Sequence, residues 1–138
     1  MKPLSINGAY AALVLATSIA MSGSATAFDL NGAWASDAGN CAKIFERKGS
    51  QVAFTEMSDV YGGGFMIEGD QIIGKFARCR IKARKDEGAT INLVAACATD
   101  IMLQSVQFSL RELDANNVIR MFPGMEGMEI RYARCPAP

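Results

Sequence analysis

A cluster of methionines near the C-terminus combines a side-chain type and a spacing that could bind a ligand. Met121, Met125 and Met128 flank the short apolar segment that begins at Phe122. Thioether sulfur binds monovalent copper, and the unbranched methionine side chain also adapts to apolar ligands or fills gaps in a core. The chain contains no histidine, which disfavours copper. We therefore predict that the three methionines and Phe122 form part of the rim of an apolar binding site. The alternative is that the methionines fill gaps in the core.

A run of three glycines could form another part of the same rim. Gly62, Gly63 and Gly64 lie between two aromatic residues, Tyr61 and Phe65. Glycine adopts backbone conformations that other residues avoid, so the triplet could be a mobile flap over a pocket or an ordinary loop with positive φ angles. We assign all five residues to the predicted rim.

The basic residues between positions 75 and 85 are the one concentration of charge in the sequence. Strand alternation predicts a cationic stripe on one outward face, made of Arg78, Arg80, Lys82 and Arg84. The stripe could bind an acidic partner or anionic lipid headgroups, or it could be a solvated face that discourages pairing of strand edges. No aromatic residues alternate with these cations, and Lys plus Arg equal Asp plus Glu at 14 each. We therefore predict no nucleic-acid partner.

No pattern in the sequence predicts catalysis. Histidine, the commonest general base and a usual zinc ligand, is absent. The segment from Gly69 to Lys75 fits most of a phosphate-binding loop, but Phe76 stands where serine or threonine would hold magnesium. We predict a protein that is not an enzyme and that uses no cofactor or metal.

The four cysteines are an even number, which is typical of a disulfide framework in an exported chain. Cys79 and Cys97 lie equally far before and after Gly88. A turn centred on this glycine would place the two cysteines opposite each other on the apolar face of a hairpin. We therefore predict a Cys79–Cys97 disulfide and, by exclusion, a Cys41–Cys135 disulfide.

The strands that position the candidate side chains are predicted from short runs rich in β-branched and aromatic residues. Turn residues separate the runs at regular spacing, which is typical of an antiparallel barrel or sandwich. We predict an all-β fold, a small antiparallel up-and-down barrel of about eight strands, stapled by disulfides, in a single domain from residue 28 to 138. The predicted strands are Gly32–Ser36, Gln51–Thr55, Phe65–Glu68, Gln71–Arg84, Thr90–Ala98, Ser105–Leu113, Val118–Phe122 and Met128–Cys135.

Residues 37–47 fit two structures. Asp37 could cap a short helix in which Cys41, Ile44 and Phe45 share a face, whereas strand alternation would group Cys41 with Lys43 and Phe45. We favour a short N-terminal helical turn.

Residues 1–27 have the pattern of a signal peptide. Lys2 precedes an apolar run from Ala9 to Met21, and the small residues that end at Ala27 would form the cleavage site. The apolar run is shorter than the roughly 20 residues that a membrane-spanning helix needs. We predict cleavage near Ala27 and a periplasmic or secreted protein with no transmembrane span in its mature chain.

The segment Asn31-Gly32-Ala33-Trp34 resembles the Gly-x-Trp motif of the calycin superfamily, which contains the lipocalins and small bacterial protease inhibitors. The resemblance implies an eight-stranded barrel closed at one end by Trp34, with Arg131 or Arg134 stacked on the indole ring. In the inhibitors the N-terminal segment blocks the protease, a role that would fall to residues 28–30 here. The late Thr-Asp-Tyr triplet of lipocalins is not present.

These features together predict a non-enzymatic binding protein of the periplasm. Its partner would be an apolar small molecule in the barrel mouth or an exported protein at the rim. The alternatives are a calycin-type protease inhibitor and a small envelope structural protein.

Overall fold

A computed structural model describes residues 3–4, 23 and 26–138. Most of the predicted signal peptide, residues 1–27, lies outside the described residues. Within the described part of the chain, no helix has both the length and the apolar character needed to cross a membrane.

The described residues form ten strands, and eight of them close into an antiparallel barrel. Around the barrel the order is β1-β10-β9-β8-β7-β6-β5-β4, and β1 pairs with β4 to complete the closure. This confirms the predicted all-β, up-and-down architecture. The strands are β1 (Gly32–Ala35), β2 (Phe45–Lys48), β3 (Gln51–Phe54), β4 (Gly64–Glu68), β5 (Gln71–Ile73), β6 (Arg78–Glu87), β7 (Thr90–Ala98), β8 (Leu103–Asp114), β9 (Asn117–Met121) and β10 (Glu129–Cys135).

The segment between β1 and β4 leaves the barrel and packs on its outer wall. It contains two 3-10 helices (Ala38–Asn40 and Ser58–Tyr61), helix α1 (Cys41–Ile44) and the β2–β3 hairpin. Ile44 and Phe45 are buried in one cluster with Ala33, Ala35 and Met66, which face outward from β1 and β4. The segment thereby covers an apolar patch of barrel wall.

Residues 37–47 contain both of the structures that their sequence fits, one after the other. The Asp37 side chain accepts a hydrogen bond from the Gly39 backbone N–H at 2.8 Å, and the helical turns that follow end at Ile44. Strand β2 begins at the next residue, Phe45. The predicted helical turn is therefore present, but it is shorter than the ambiguous segment.

The predicted number of barrel strands, eight, is correct, but two of the predicted strands are assigned wrongly. The segment Gln51–Thr55 is not a barrel strand, since β3 pairs only with β2. The long strand Gln71–Arg84 is two strands, because a tight turn at Gly74, closed by its N–H donating to the Ala77 carbonyl at 2.8 Å, separates β5 from β6. The two errors cancel in the total of eight.

Both predicted disulfides are confirmed. Cys79 lies directly opposite Cys97 in the β6–β7 ladder, and the two sulfurs are bonded. Cys41 of α1 is bonded to Cys135 of β10, which fixes the outer segment to the last strand.

The predicted cationic stripe is interrupted by a β-bulge at Lys82. Ile81 pairs with Ala95 and Ala83 pairs with Val94, so Lys82 is an extra residue in β6. Because side chains alternate between the two faces of a strand, one extra residue reverses their faces beyond the bulge. Arg84 is therefore opposite the buried Leu93 and does not share the outward face of Arg78 and Arg80.

Candidate ligand-binding site

One end of the barrel, hereafter the closed end, is covered by residues 28–31. The tight turns after β4, β6 and β8 lie at this end. Leu30 is buried among the interior residues, and its carbonyl accepts a hydrogen bond of 2.9 Å from the Trp34 indole N–H. The Trp34 side chain is fully buried, with the Phe28 ring centroid 6.4 Å from its own. The start of the barrel domain therefore works as its plug.

Arg134 fastens the plug to the barrel. Its guanidinium carbon lies 4.3 Å from the centroid of the Trp34 ring. The guanidinium donates hydrogen bonds to the carbonyls of Asp29 (2.6 Å), Asn31 and Ala115 (3.1 Å). Of the two arginines considered for stacking on Trp34, Arg134 is thus the one in contact with it, whereas Arg131 is exposed and pairs with Ile119 in the ladder.

A second arginine at the closed end binds the same segment. Arg84 donates a hydrogen bond of 2.8 Å to the Phe28 carbonyl and two more to the Asp86 carboxylate. The bonds from Arg84 lower the pKa of Asp86 below its usual range, and the bonds to Asp86 raise the pKa of Arg84. The bulge at Lys82 makes this contact possible, because it turns Arg84 toward the plug.

The opposite end, hereafter the open end, leads into an apolar cavity of about 160 Å³. The loops 74–77, 99–102 and 122–128 lie at this end. Most of the lining side chains are interior residues of the barrel wall, from strands β4 to β10. The lining residues are Gly64, Phe65, Ile67, Ile72, Gly74, Ala77, Cys79, Leu93, Phe108, Leu110, Arg120 and Tyr132.

Two polar side chains project into this otherwise apolar lining. Arg120 is opposite Leu110 and Ile130 in the ladders, on the interior face of β9. Its guanidinium carbon lies 4.6 Å from the ring centroid of Phe108 and 4.8 Å from that of Phe122. Tyr132, on the interior face of β10, packs against Phe65 with ring centroids 4.9 Å apart. The cavity therefore combines apolar walls with a cation and a phenol.

The residues predicted for the ligand rim are distributed between the cavity and the outer surface. Gly64 and Phe65 line the cavity, and Phe122 contacts Arg120 from the open-end loop. A Cβ atom added at Gly63 would lie 4.0 Å from the Tyr132 hydroxyl, and one added at Gly62 would lie next to the Ser36 hydroxyl. Tyr61 lies on the outer segment, with the Lys43 ammonium 5.0 Å from its ring centroid.

The three rim methionines do not line the cavity. Met121 follows Arg120 and therefore points to the outer face, where its sulfur lies 3.8 Å from an Arg111 guanidinium nitrogen. Met125 and Met128 are half exposed on the loop between β9 and β10. Strand alternation presents Arg120 to the interior in place of Met121, and the assignment of the methionines to a ligand rim stays a prediction.

The open end also carries exposed apolar loops. Phe76 is 73% exposed, Ile101 89% and Leu103 80%. The strands that bear these residues are neighbours, since β6 pairs with both β5 and β7 and β7 pairs with β8. Phe76 and Ile101 therefore project from adjacent loops, and Leu103 from the start of β8, beside the cavity end of the barrel.

The acidic groups of the described residues form no constellation for metal binding. No three or more of their Asp, Glu, Cys or His side chains come together in a way that could hold an ion. Asp59 is bound by the Lys75 ammonium, and this hydrogen bond lowers the pKa of the carboxyl.

The chain matches no family model, no curated protein and no solved structure.

Sequence reasoning missed Arg120, although the signal was present. Val118 and Arg120 share a face in any strand that covers this segment, and Val118 is fully buried. Alternation from a valine expected in the core would have placed the arginine inside the barrel. An interior cation in a strand of apolar neighbours is the feature that marks the site.

Proposed function

We propose that this chain is a non-enzymatic binding protein that takes a small apolar molecule into the open end of a calycin-type barrel. The observation that carries the proposal is the apolar cavity of about 160 Å³ at this end. A cavity of about 150 Å³ with an apolar lining stays dry in other proteins and binds benzene or xenon. An apolar group of one ring is therefore the size of ligand we expect.

An oxidising compartment is part of the proposal. Disulfides persist in the periplasm and outside the cell, and the barrel contains two of them. The signal-peptide pattern of residues 1–27 supports the same location. We propose that the protein is exported and that its ligand is encountered in the cell envelope or beyond it.

The protease-inhibitor alternative has less support from the geometry. An inhibitor of that type would present residues 28–30 to a protease. Here Leu30 is buried, and the carbonyls of Phe28 and Asp29 accept hydrogen bonds from Arg84 and Arg134. Presenting the segment would require these contacts to break, so we favour a ligand in the cavity.

Thermal unfolding in the presence of benzene, toluene or xenon tests the proposal. A ligand present at a hundredfold excess over its Kd should stabilise the protein by about 2.7 kcal/mol. Ala77→Phe places a ring into the cavity lining and should abolish the effect. Ala83→Phe is the matched control, because Ala83 is exposed on the barrel wall and the probe should still stabilise this variant. If none of the three probes stabilises the unmodified protein, the proposal is wrong and a ligand-free structural protein is favoured.

A second candidate function is docking of an exported protein at the open end. It is favoured by the exposed side chains of Phe76, Ile101 and Leu103, because soluble proteins rarely expose neighbouring apolar groups without a partner. A photo-crosslinking residue at position 103 should then give an adduct of defined mass in the intact envelope. The same residue at Leu113, which is exposed near the closed end, should give none. Equal labelling at both positions would count against docking.

A further inference from the structure

Arg134 and Arg120, which both lie on the interior face of the barrel, differ in their hydrogen-bonding partners. Arg134, at the closed end, donates to three backbone carbonyls. The side chain of Arg120, at the open end, makes no hydrogen bond or ion pair with any residue in the described part of the chain. A guanidinium carries five N–H donors and no acceptor. The donors of Arg120 therefore have no protein partner among the described residues.

The contacts that hold Arg120 leave these donors available. The rings of Phe108 and Phe122 lie 4.6 and 4.8 Å from its guanidinium carbon. Aromatic faces attract a cation through their quadrupole, but they do not supply the oxygen acceptors that N–H groups bind best. The two rings position the guanidinium without satisfying its hydrogen bonds.

No carboxylate of the described residues forms an ion pair with Arg120. The ion pairs of the described residues involve other side chains, and the ladder neighbours of Arg120 are the apolar Leu110 and Ile130. A charge that is partly removed from water costs free energy unless it is paired. A negative group at the cavity would remove this cost, so the site favours an anion.

Tyr132 supplies a second donor to the same cavity. Its side chain is almost fully buried, and its hydroxyl makes no hydrogen bond with the described residues. A phenol donates one hydrogen bond and also accepts. Since Arg120 and Tyr132 both line the cavity, one bound group could accept hydrogen bonds from both of them.

We propose that the natural ligand is an apolar anion of about one ring in size, with its carboxylate bound by Arg120 and supported by Tyr132. This inference rests on the proposed cavity-binding function and adds the charge of the ligand to it. Carboxylate fits because its two oxygens match the planar donor pairs of a guanidinium. The cavity volume of about 160 Å³ limits the apolar part to a ring or a short chain.

Isothermal titration with phenylacetate and phenylacetamide tests the inference. The two probes have nearly the same shape and differ in charge. We expect the unmodified protein to bind phenylacetate at least tenfold more tightly than phenylacetamide. Arg120→Gln should abolish this preference and retain the weaker binding of the amide. Tyr132→Phe should reduce the preference by a smaller factor, because it removes one neutral hydrogen bond.

Arg111→Gln is the matched control for charge. Arg111 lies on the neighbouring strand β8 and binds Glu129 on the outer face, so its removal should leave the preference unchanged. If Arg111→Gln and Arg120→Gln lower the affinity for phenylacetate equally, attraction by general surface charge explains the result and the inference is overturned.

The comparison within the unmodified protein separates this inference from the proposed function. Equal affinity for the two probes would overturn the anion proposal and leave cavity binding intact. Absence of binding by both probes, together with no stabilisation by benzene, would overturn the proposed function itself. The first comparison needs no variant, so it stays decisive even if Arg120→Gln fails to fold.

Discussion

The closed and open ends of the barrel use the same side-chain type in opposite ways. At the closed end Arg134 stacks on Trp34 and binds three carbonyls, and Arg84 binds the plug beside it. At the open end Arg120 lies between two aromatic rings with no oxygen acceptor among the described residues. Arg134 therefore holds parts of the fold together, whereas the hydrogen-bond donors of Arg120 have no acceptor among the described residues.

Satisfaction of hydrogen bonds is what distinguishes the two cases. Both arginines are interior residues that contact aromatic rings, so neither burial nor a cation–π contact tells them apart. The carbonyls that surround Arg134 belong to residues 29, 31 and 115, which the guanidinium ties together. The described residues supply carbonyl acceptors to Arg134 and none to the guanidinium of Arg120, which is why we propose a ligand for Arg120.

The largest difference between the two ends should appear when each disulfide is removed. The Cys41–Cys135 bridge, next in sequence to Arg134, closes a loop of 94 residues, whereas Cys79–Cys97, which lines the cavity, closes one of 18. The loop-entropy model gives about 4.7 kcal/mol for a loop near 100 residues and about 3 kcal/mol for one near 15. Denaturant unfolding of the double Cys→Ala variants should therefore show the greater loss for Cys41–Cys135. The reverse order would mean that strain or residual structure dominates over loop length.

The two arginines should differ in their effect on stability. Arg134→Gln leaves the carbonyls of Asp29, Asn31 and Ala115 without their donor and should lower the unfolding free energy by about 1 to 3 kcal/mol. Arg120→Gln removes an unpaired charge and should change stability by less than about 1 kcal/mol in either direction. Chemical denaturation of both variants measures this difference. Equal losses would show that Arg120 is also a structural residue.

The smallest effect should be the response of the closed end to acid. The hydrogen bond from the Asn31 backbone lowers the pKa of Asp29, and Arg84 lowers that of Asp86. A carboxyl whose pKa is lowered by folding stabilises the protein above its unfolded pKa of about 3.9, and this contribution is lost as the pH falls through the folded value. Both groups are largely solvated, so the loss between pH 5 and pH 2 should stay below about 1 kcal/mol for each.

Asp86→Asn should reduce this acid sensitivity, measured as unfolding free energy against pH. Glu126→Gln, on the exposed loop at the open end, is the control and should leave the pH profile as it is. A steeper loss for Asp86→Asn than for the unmodified protein would contradict the assigned role of the Arg84–Asp86 pair.

Local periodicity made the central hairpin predictable from sequence. Cys79 and Cys97 flank Gly88 symmetrically, as a turn centred on this glycine requires. Next to the turn Glu87 pairs with Thr90, so the ladder is one residue out of that register until the extra residue at Lys82 brings the two cysteines opposite each other. The bulge itself has no sequence signal, since a single extra residue among basic ones leaves the pattern unchanged. The position of Arg84 was therefore beyond reach.

The pairing partner of the segment Gln51–Phe54 depends on long-range packing, which local sequence patterns do not show. Gln51–Phe54 alternates as a barrel strand would, but it pairs with β2 because residues 44 and 45 anchor the outer segment to the wall. The methionines were assigned to a ligand rim because of their type, whereas the side chain that lines the cavity is Arg120, which alternation in β9 could have revealed. Side-chain type does not show which residues face the cavity, whereas strand alternation does.

Cys79 is both half of a disulfide and part of the cavity wall. Thiol–disulfide exchange requires a thiolate to reach a sulfur atom, so access to the bridge sets its reduction rate. A molecule seated in the cavity would stand between an incoming reductant and this sulfur. A bound ligand would therefore slow the reduction of the Cys79–Cys97 disulfide. The Cys41–Cys135 disulfide on the outer wall would be reduced at the same rate with or without the ligand.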